Sequence, residues 1–257
     1  MIDFFNKWMT RLHKVIFIGS YYLFHHRRMI KKLSSYGMSE IKTQNIKQWL
    51  RIIRSKKIIR HFYKAKFDGK VCFVKLGRKG MFMDNEITLN KYINQFNFTF
   101  IPKLLISDDN FDNDKAMIVI EFFPEARRFE LPEDKESFES VCSQFEHIHS
   151  CFLEIGLIHG DLTPANVLIN KENQVQIIDF GVAWIPKFDV IEMTRAYGRN
   201  YLLSKNSLVY DNVYAFLKLL ESVGISDEYK TTKSYQDLQS LVGKHTKIFR
   251  GTFFTPK

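Results

Sequence analysis

The stretch His159-Gly160-Asp161-Leu162-Thr163-Pro164-Ala165-Asn166 decides the reading, together with Asp179-Phe180-Gly181, whose aspartate stands thirteen positions after Asn166. Before it, Phe138, Val141, Phe145, Ile148, Phe152 and Ile155 recur at alternating three- and four-residue steps, the signature of a helix with one apolar face. Gly156 predicts its end near Glu154. After it, Val167-Leu168-Ile169 and Val175-Gln176-Ile177-Ile178 read as two short strands with Asn173 in the turn between them. Asp161 and Asn166 then lie at the two ends of one tight loop, and the hairpin returns the chain so that Asp179 faces the same cavity.

Outward toward the N-terminus the pattern changes twice. Ile101–Ser107 and Ala116–Phe123 read as strands joined by the polar segment Asp108–Asp114, followed by an irregular charged connector, Pro124–Pro132. His61–Lys66 and Val71–Leu76 read as a hairpin around Asp68-Gly69, a strong turn signal, and Asn85–Ile93 as a short helix. Residues 31–60 read as basic and helical. In residues 1–30, Phe4, Phe5, Trp8, Met9, Leu12, Val15 and Ile16 form an apolar helical stripe with Lys7, Arg11 and Lys14 between them. Toward the C-terminus, 182–207 reads as irregular and Tyr210–Val223 as a helix with a short polar helical tail.

Charge is unevenly distributed. The net charge is +10, but residues 1–80 hold 20 Lys/Arg against 3 Asp/Glu, a net of +17, and the rest carries −7. A basic first third attracts anionic partners. The apolar run Val15–Phe24 is too short to span a bilayer, and no small-residue cleavage site follows it. Cys72, Cys142 and Cys151 show no metal or disulfide spacing and are expected to be reduced core thiols. His147 and His149, two apart on one helix, do not share a face and are not expected to bind metal.

The His159–Asn166 and Asp179–Gly181 segments resemble the catalytic loop and metal-binding turn of the protein-kinase-like superfamily. The resemblance covers roughly residues 60–225. It implies an α+β, bilobal protein-kinase-like fold with a small antiparallel-sheet N-lobe and a mostly helical C-lobe. The expected divisions are 1–57 for the basic helical region, 58–123 for the N-lobe and 124–257 for the C-lobe.

The resemblance also implies ATP and Mg²⁺ as cofactors and assigns roles. Asp161 orients the acceptor hydroxyl and takes its proton. Asn166 and Asp179 hold Mg²⁺ through oxygen. His159 braces the loop through backbone hydrogen bonds. Lys75, at the end of Phe73-Val74-Lys75, meets the α- and β-phosphates, and Glu86 pairs with it. The connector after Glu121-Phe122-Phe123 is the hinge, placing Glu121 and Phe123 at the adenine edge. Asp211 is a candidate brace beneath the catalytic loop, and Trp184 a core residue.

Three departures from the family pattern matter. No glycine-rich loop precedes Lys75, Gly160 replaces the arginine that commonly precedes the catalytic aspartate, and no Ala-Pro-Glu follows Gly181. These point to small atypical members: lipopolysaccharide core sugar kinases first, then RIO-type protein kinases and aminoglycoside or choline phosphotransferases. A fourth reading, a nucleotide-holding module without turnover, conflicts with the intact Lys75, Asp161, Asn166 and Asp179. The basic first third favours the glycolipid acceptor. The protein is then expected on the cytoplasmic face of the inner membrane, with residues 1–30 on an anionic surface. No nucleic-acid reader motif is present.

Overall fold

A computed structural model of the chain describes residues 24, 26–43, 60–123, 125–185, 202–204 and 209–244. The amphipathic helix expected over 1–30 lies outside these apart from 24 and 26–30, as does most of 182–207. By contacts the chain divides into two compact units. The first takes the residues up to Arg78 and Leu105–Phe122; the second takes Lys79–Leu104 and everything from Phe123 onward.

The first unit is a five-stranded sheet: β1 (Ser39–Thr43), β2 (Arg60–Phe67), β3 (Lys70–Arg78), β4 (Leu104–Asp112) and β5 (Lys115–Glu121), in the order β1-β2-β3-β5-β4. The β2–β3 hairpin closes on Asp68 and Gly69, both at positive φ (49° and 74°), the pair of left-handed residues that a two-residue hairpin turn requires. Its register runs without a break from Phe67↔Lys70 to Arg60↔Gly77. Side chains alternate between faces. Tyr63, Ala65, Cys72, Val74, Met117 and Val119 are buried with Met29 and Leu33 of helix α1 (26–35). The opposite face carries Phe62, Lys64, Phe73 and Lys75.

Two expectations need correction here. Residues 39–43 form an edge strand rather than continuing the basic helix. Asp108–Asp112 is strand, not turn: Phe111 is fully buried, and Asp112 accepts ion pairs from Arg28 (2.5 Å) and Lys32 (3.5 Å) of α1. Tyr36 donates to Asp108, which pushes its phenol up to about 12. These carboxylates are polar because they anchor a helix, so composition alone misplaces the turn.

The second unit is mostly helical. Helix α2 (Met81–Ile93) begins four residues before the expected start. Helix α3 (Lys135–Ile155) starts where Asp134 accepts the Ser137 N–H at 2.8 Å. It ends in a Schellman motif: Gly156 sits at φ 71°, and Leu157 N–H reaches the Phe152 carbonyl at 2.7 Å. All six residues of the expected apolar stripe are buried. Helix α4 (Asn212–Ser222) packs against it, with Phe216 stacked on Phe145 at 4.3 Å between ring centroids. Two short helices follow, α5 (Asp227–Lys230) and α6 (Lys233–Ser240).

A three-stranded sheet, β6 (Arg127–Arg128), β7 (Val167–Ile169) and β8 (Val175–Ile177), contains the expected hairpin, with Asn173 at φ 57° in its turn. Within the segment expected to be irregular, Leu202–Ser204 form β9, which pairs with β10 (Val209–Tyr210); Tyr210, expected to open the next helix, is strand, and that helix starts at Asn212. The three cysteines are free thiols, and Cys72 and Cys142 lie in the two cores. Among the described residues no helix is long and apolar enough to cross a membrane.

Candidate active site

The loop after α3 is pinned at its start. Ile158 and Trp184 exchange backbone hydrogen bonds at 2.8 and 2.7 Å, tying the entry of the loop to the segment that leaves Asp179-Phe180-Gly181. Trp184 packs against the core, as expected.

His159 follows, fully buried. Its Nδ1 accepts the Asp161 N–H at 3.3 Å, so Nε2 carries the proton and donates it to the Ile178 carbonyl at 3.1 Å. Burial pushes the imidazole down to about 4, so the ring is neutral and keeps this tautomer. The expected brace is therefore present, and it bridges the loop that carries Asp161 to Ile178, the residue between β8 and Asp179.

The second brace is Asn212, not Asp211. Asn212 Oδ1 accepts the His159 N–H at 3.2 Å, and its Nδ2 donates to the Leu157 carbonyl at 2.9 Å. Asp211 instead caps α4 through the Tyr214 N–H and accepts the Gly243 N–H, both at 2.9 Å. An aspartate before a helix is a strong cap signal. Nothing in the sequence marks the neighbouring asparagine, whose partners lie more than fifty residues away.

Gly160 has a local cause. It sits at φ 78°, and a Cβ there would stand 2.9 Å from the Val182 carbonyl oxygen. No arginine fits this backbone, so the departure at position 160 is built into the path of the loop.

Asp161 and Asn166 meet directly. Asn166 Nδ2 donates to the Asp161 carbonyl at 2.9 Å and to its Oδ2 at 2.8 Å. Both partners are acceptors, which fixes the amide with its nitrogen toward Asp161 and its oxygen turned away. Backbone bonds from Thr163 N–H to Asp161 O (2.9 Å) and from Asn166 N–H to Thr163 O (2.9 Å) close the loop. The Ile178 N–H then reaches the Asn166 carbonyl at 2.9 Å, setting the residue before Asp179 against the loop's far end.

Asp179 takes a left-handed conformation, φ 65° and ψ 71°, and leads into a short 3₁₀ turn, Phe180–Val182. Phe180 is buried beside His159, ring centroids 5.1 Å apart. Gly181 is hemmed in: a Cβ there would lie 3.3 Å from Asp179 Oδ1, 3.4 Å from the Phe82 carbonyl and 3.5 Å from Glu86 Oε2. The second unit thus brings Asp161, Asn166, Asp179 and Glu86 into one neighbourhood. Lys75, buried on β3 opposite Ile118 of β5, and Glu121, at the end of β5, belong to the first unit. Phe123 is the first residue after the chain re-enters the second unit.

The donor set fits Mg²⁺. Among the described residues no group of three or more His, Cys, Asp or Glu side chains could hold a metal ion alone. Mg²⁺ is characteristically held by one or two carboxylates with waters and substrate phosphates completing its shell. The Asp179 carboxylate and the outward-turned Asn166 amide oxygen are hard donors of that kind.

An antiparallel sheet, a mainly helical unit and this loop-and-turn arrangement define a phosphotransferase class. Residues 79–209 match the protein kinase domain family, half of the chain, and the chain belongs to that family, which uses ATP and Mg²⁺ generally. Lys75 lies just upstream of the matched segment.

The chain is similar to a cAMP-dependent protein kinase catalytic subunit-like protein of Caenorhabditis briggsae, 29% identical over 98 residues, 35% of this chain and 24% of that one. It is also similar to a probable serine/threonine-protein kinase of Dictyostelium discoideum, 30% identical over 146 residues, 52% of this chain and 20% of that one. The chain therefore spans about a quarter or less of the length of these relatives. The solved structure of the Cydia pomonella granulovirus kinase PK-1 aligns with TM-score 0.44 and 15% identity, over 63% of this chain and 59% of that one.

Proposed function

We propose that the protein transfers the γ-phosphate of ATP to an alcohol hydroxyl. The observation that carries this reading is the fixed Asp161–Asn166 pair, with Asp179 set against it through Ile178. The acceptor oxygen attacks the γ-phosphorus, the bond to the β–γ bridging oxygen breaks, ADP leaves, and the hydroxyl proton passes to Asp161. Bound Mg²⁺ neutralises phosphate charge. Asn166 and Asp179 would supply its protein ligands; the family resemblance assigns Lys75 to the α- and β-phosphates and Glu121 and Phe123 to the adenine. Phosphoryl transfer depends on this positioning and charge neutralisation more than on covalent help.

The acceptor we propose is a sugar hydroxyl of the lipopolysaccharide inner core, reached from the cytoplasmic face of the inner membrane. Its support is the net +17 of residues 1–80, suited to an anionic surface, and the glycine at position 160, which leaves no arginine for a phosphorylated loop. A second reading is a RIO-like serine/threonine protein kinase; the names of the relatives, a cAMP-dependent protein kinase catalytic subunit-like protein and a serine/threonine-protein kinase, support its protein-kinase part.

Mass spectrometry of membrane glycolipids from cells carrying the intact protein or Asp161→Asn separates the two. Loss of one core phosphate in the variant establishes the sugar kinase. Identical glycolipids, with labelled phosphate appearing on protein only in cells with the intact chain, establish the protein kinase.

A further inference from the structure

Asn85 lies well inside α2, where asparagine is a poor choice because its side chain competes for local backbone groups. Here it leaves its own helix. Its Nδ2 donates to the carbonyls of Ala183 (2.9 Å), Gly181 (3.2 Å) and Phe180 (3.4 Å). Two amide hydrogens thus serve three carbonyls that follow Asp179 directly. The same turn contains Asp179 in a left-handed conformation that a β-carbon disfavours. It also contains Gly181, whose missing side chain lets the Phe82 carbonyl and the Glu86 carboxylate of α2 come close. The helix and the turn are therefore packed as one piece, and Asn85 joins them by side-chain hydrogen bonds.

We propose that Asn85 is a positioning residue for the metal-binding turn. Its amide holds the 3₁₀ turn Phe180–Val182 against α2 and so keeps the Asp179 carboxylate in its working orientation, without any modification of the segment that follows. The neighbouring Glu86 is held beside Gly181 by the same docking. This rests on the reading of Asp179 as a metal ligand. A helix-docking role alone would stabilise the unit but leave metal affinity where it was.

The test uses the full chain with Asn85→Leu, which removes both donors without adding charge, and Asn85→Gln, which keeps the amide. Backbone amide exchange is followed at Ala183 and Trp184, with the α3 amides as reference. Mn²⁺ affinity is measured by electron paramagnetic resonance in the presence of a non-hydrolysable ATP analogue.

In Asn85→Leu, exchange at Ala183 and Trp184 rises about tenfold, the scale of losing such a bond, and Mn²⁺ binds about tenfold more weakly; α3 protection is unchanged. Asn85→Gln recovers most of both. Unchanged exchange at Ala183, or raised exchange with unchanged Mn²⁺ affinity, overturns the proposal. Should α3 also lose protection in Asn85→Leu, the smaller Asn85→Ala, which likewise removes both donors without adding charge, takes its place with the same expected and overturning results. Asp179→Asn run in parallel separates the two ideas: if it leaves Mn²⁺ affinity intact, the metal role of Asp179 fails, and the exchange data alone then decide whether Asn85 holds the turn.

Discussion

At the scale of single residues, His159 shows how a buried side chain can fix a loop through its protonation state. Folding holds the imidazole near 4 against 6.5 when free, because burial disfavours the charge and Nδ1 is occupied as an acceptor. Between these values the unfolded chain binds the proton that the folded chain refuses, so stability rises with pH across that window. The contribution is fully present above pH 6.5 and is lost as pH falls toward 4. Its size is about 3 kcal/mol, since each pKa unit corresponds to about 1.4 kcal/mol. Urea unfolding at several pH values checks it, and His159→Phe should flatten the dependence between about pH 6.5 and 4. Asp161 makes a different kind of prediction. Asp161→Asn should lower transfer about 10²–10⁴-fold, the range for loss of a general base, while ATP binding measured by calorimetry is retained.

At the scale of elements, α1 is what turns a strand-rich segment into a two-layer unit. A sheet needs its apolar face covered, and Met29 and Leu33 cover Tyr63, Cys72 and Val74, while Arg28 and Lys32 clamp Asp112 on β4. Leu33 is fully buried, so Leu33→Ala should cost about 2–5 kcal/mol, and Leu33→Met, which conserves volume, less than about 1.5 kcal/mol. Denaturant titration of both variants gives the comparison; equal losses would mean that α1 contributes little beyond occupying space. On the other side of the chain, α4 serves the site rather than the core alone, since its first residue, Asn212, holds both Leu157 and His159.

At the scale of the whole molecule, charge separation along the sequence is the dominant feature, +17 in residues 1–80 against −7 beyond. If the basic third seats the protein on an anionic surface, it should sediment with anionic vesicles at about 0.05 M salt and release at about 0.5 M, where screening shortens to a few ångströms. Neutral vesicles should not bind it. Failure to bind anionic vesicles at low salt would count against the glycolipid acceptor and leave the RIO-like reading.

Much of the fold and of the site was legible in the amino-acid order alone, because the relevant signals are local. Gly156 ends α3, Asp68-Gly69 makes the hairpin, the Phe138–Ile155 stripe is buried as spaced, and Asp161, Asn166 and Asp179 stand at separations that one loop and one hairpin can bring together. Each depends on residues a few positions apart, where backbone geometry leaves few choices. The remainder depends on partners remote in the chain. Asn212 reaches back more than fifty residues to brace His159, and Asn85 reaches forward almost a hundred to hold Gly181. Asp108–Asp112 is strand because Arg28, Lys32 and Tyr36 neutralise or bond its carboxylates. Gly160 is glycine because the Val182 carbonyl fills the space of a side chain. A polar residue in sequence carries no mark of its future partner, and that partner appears only when folding brings distant backbone into reach.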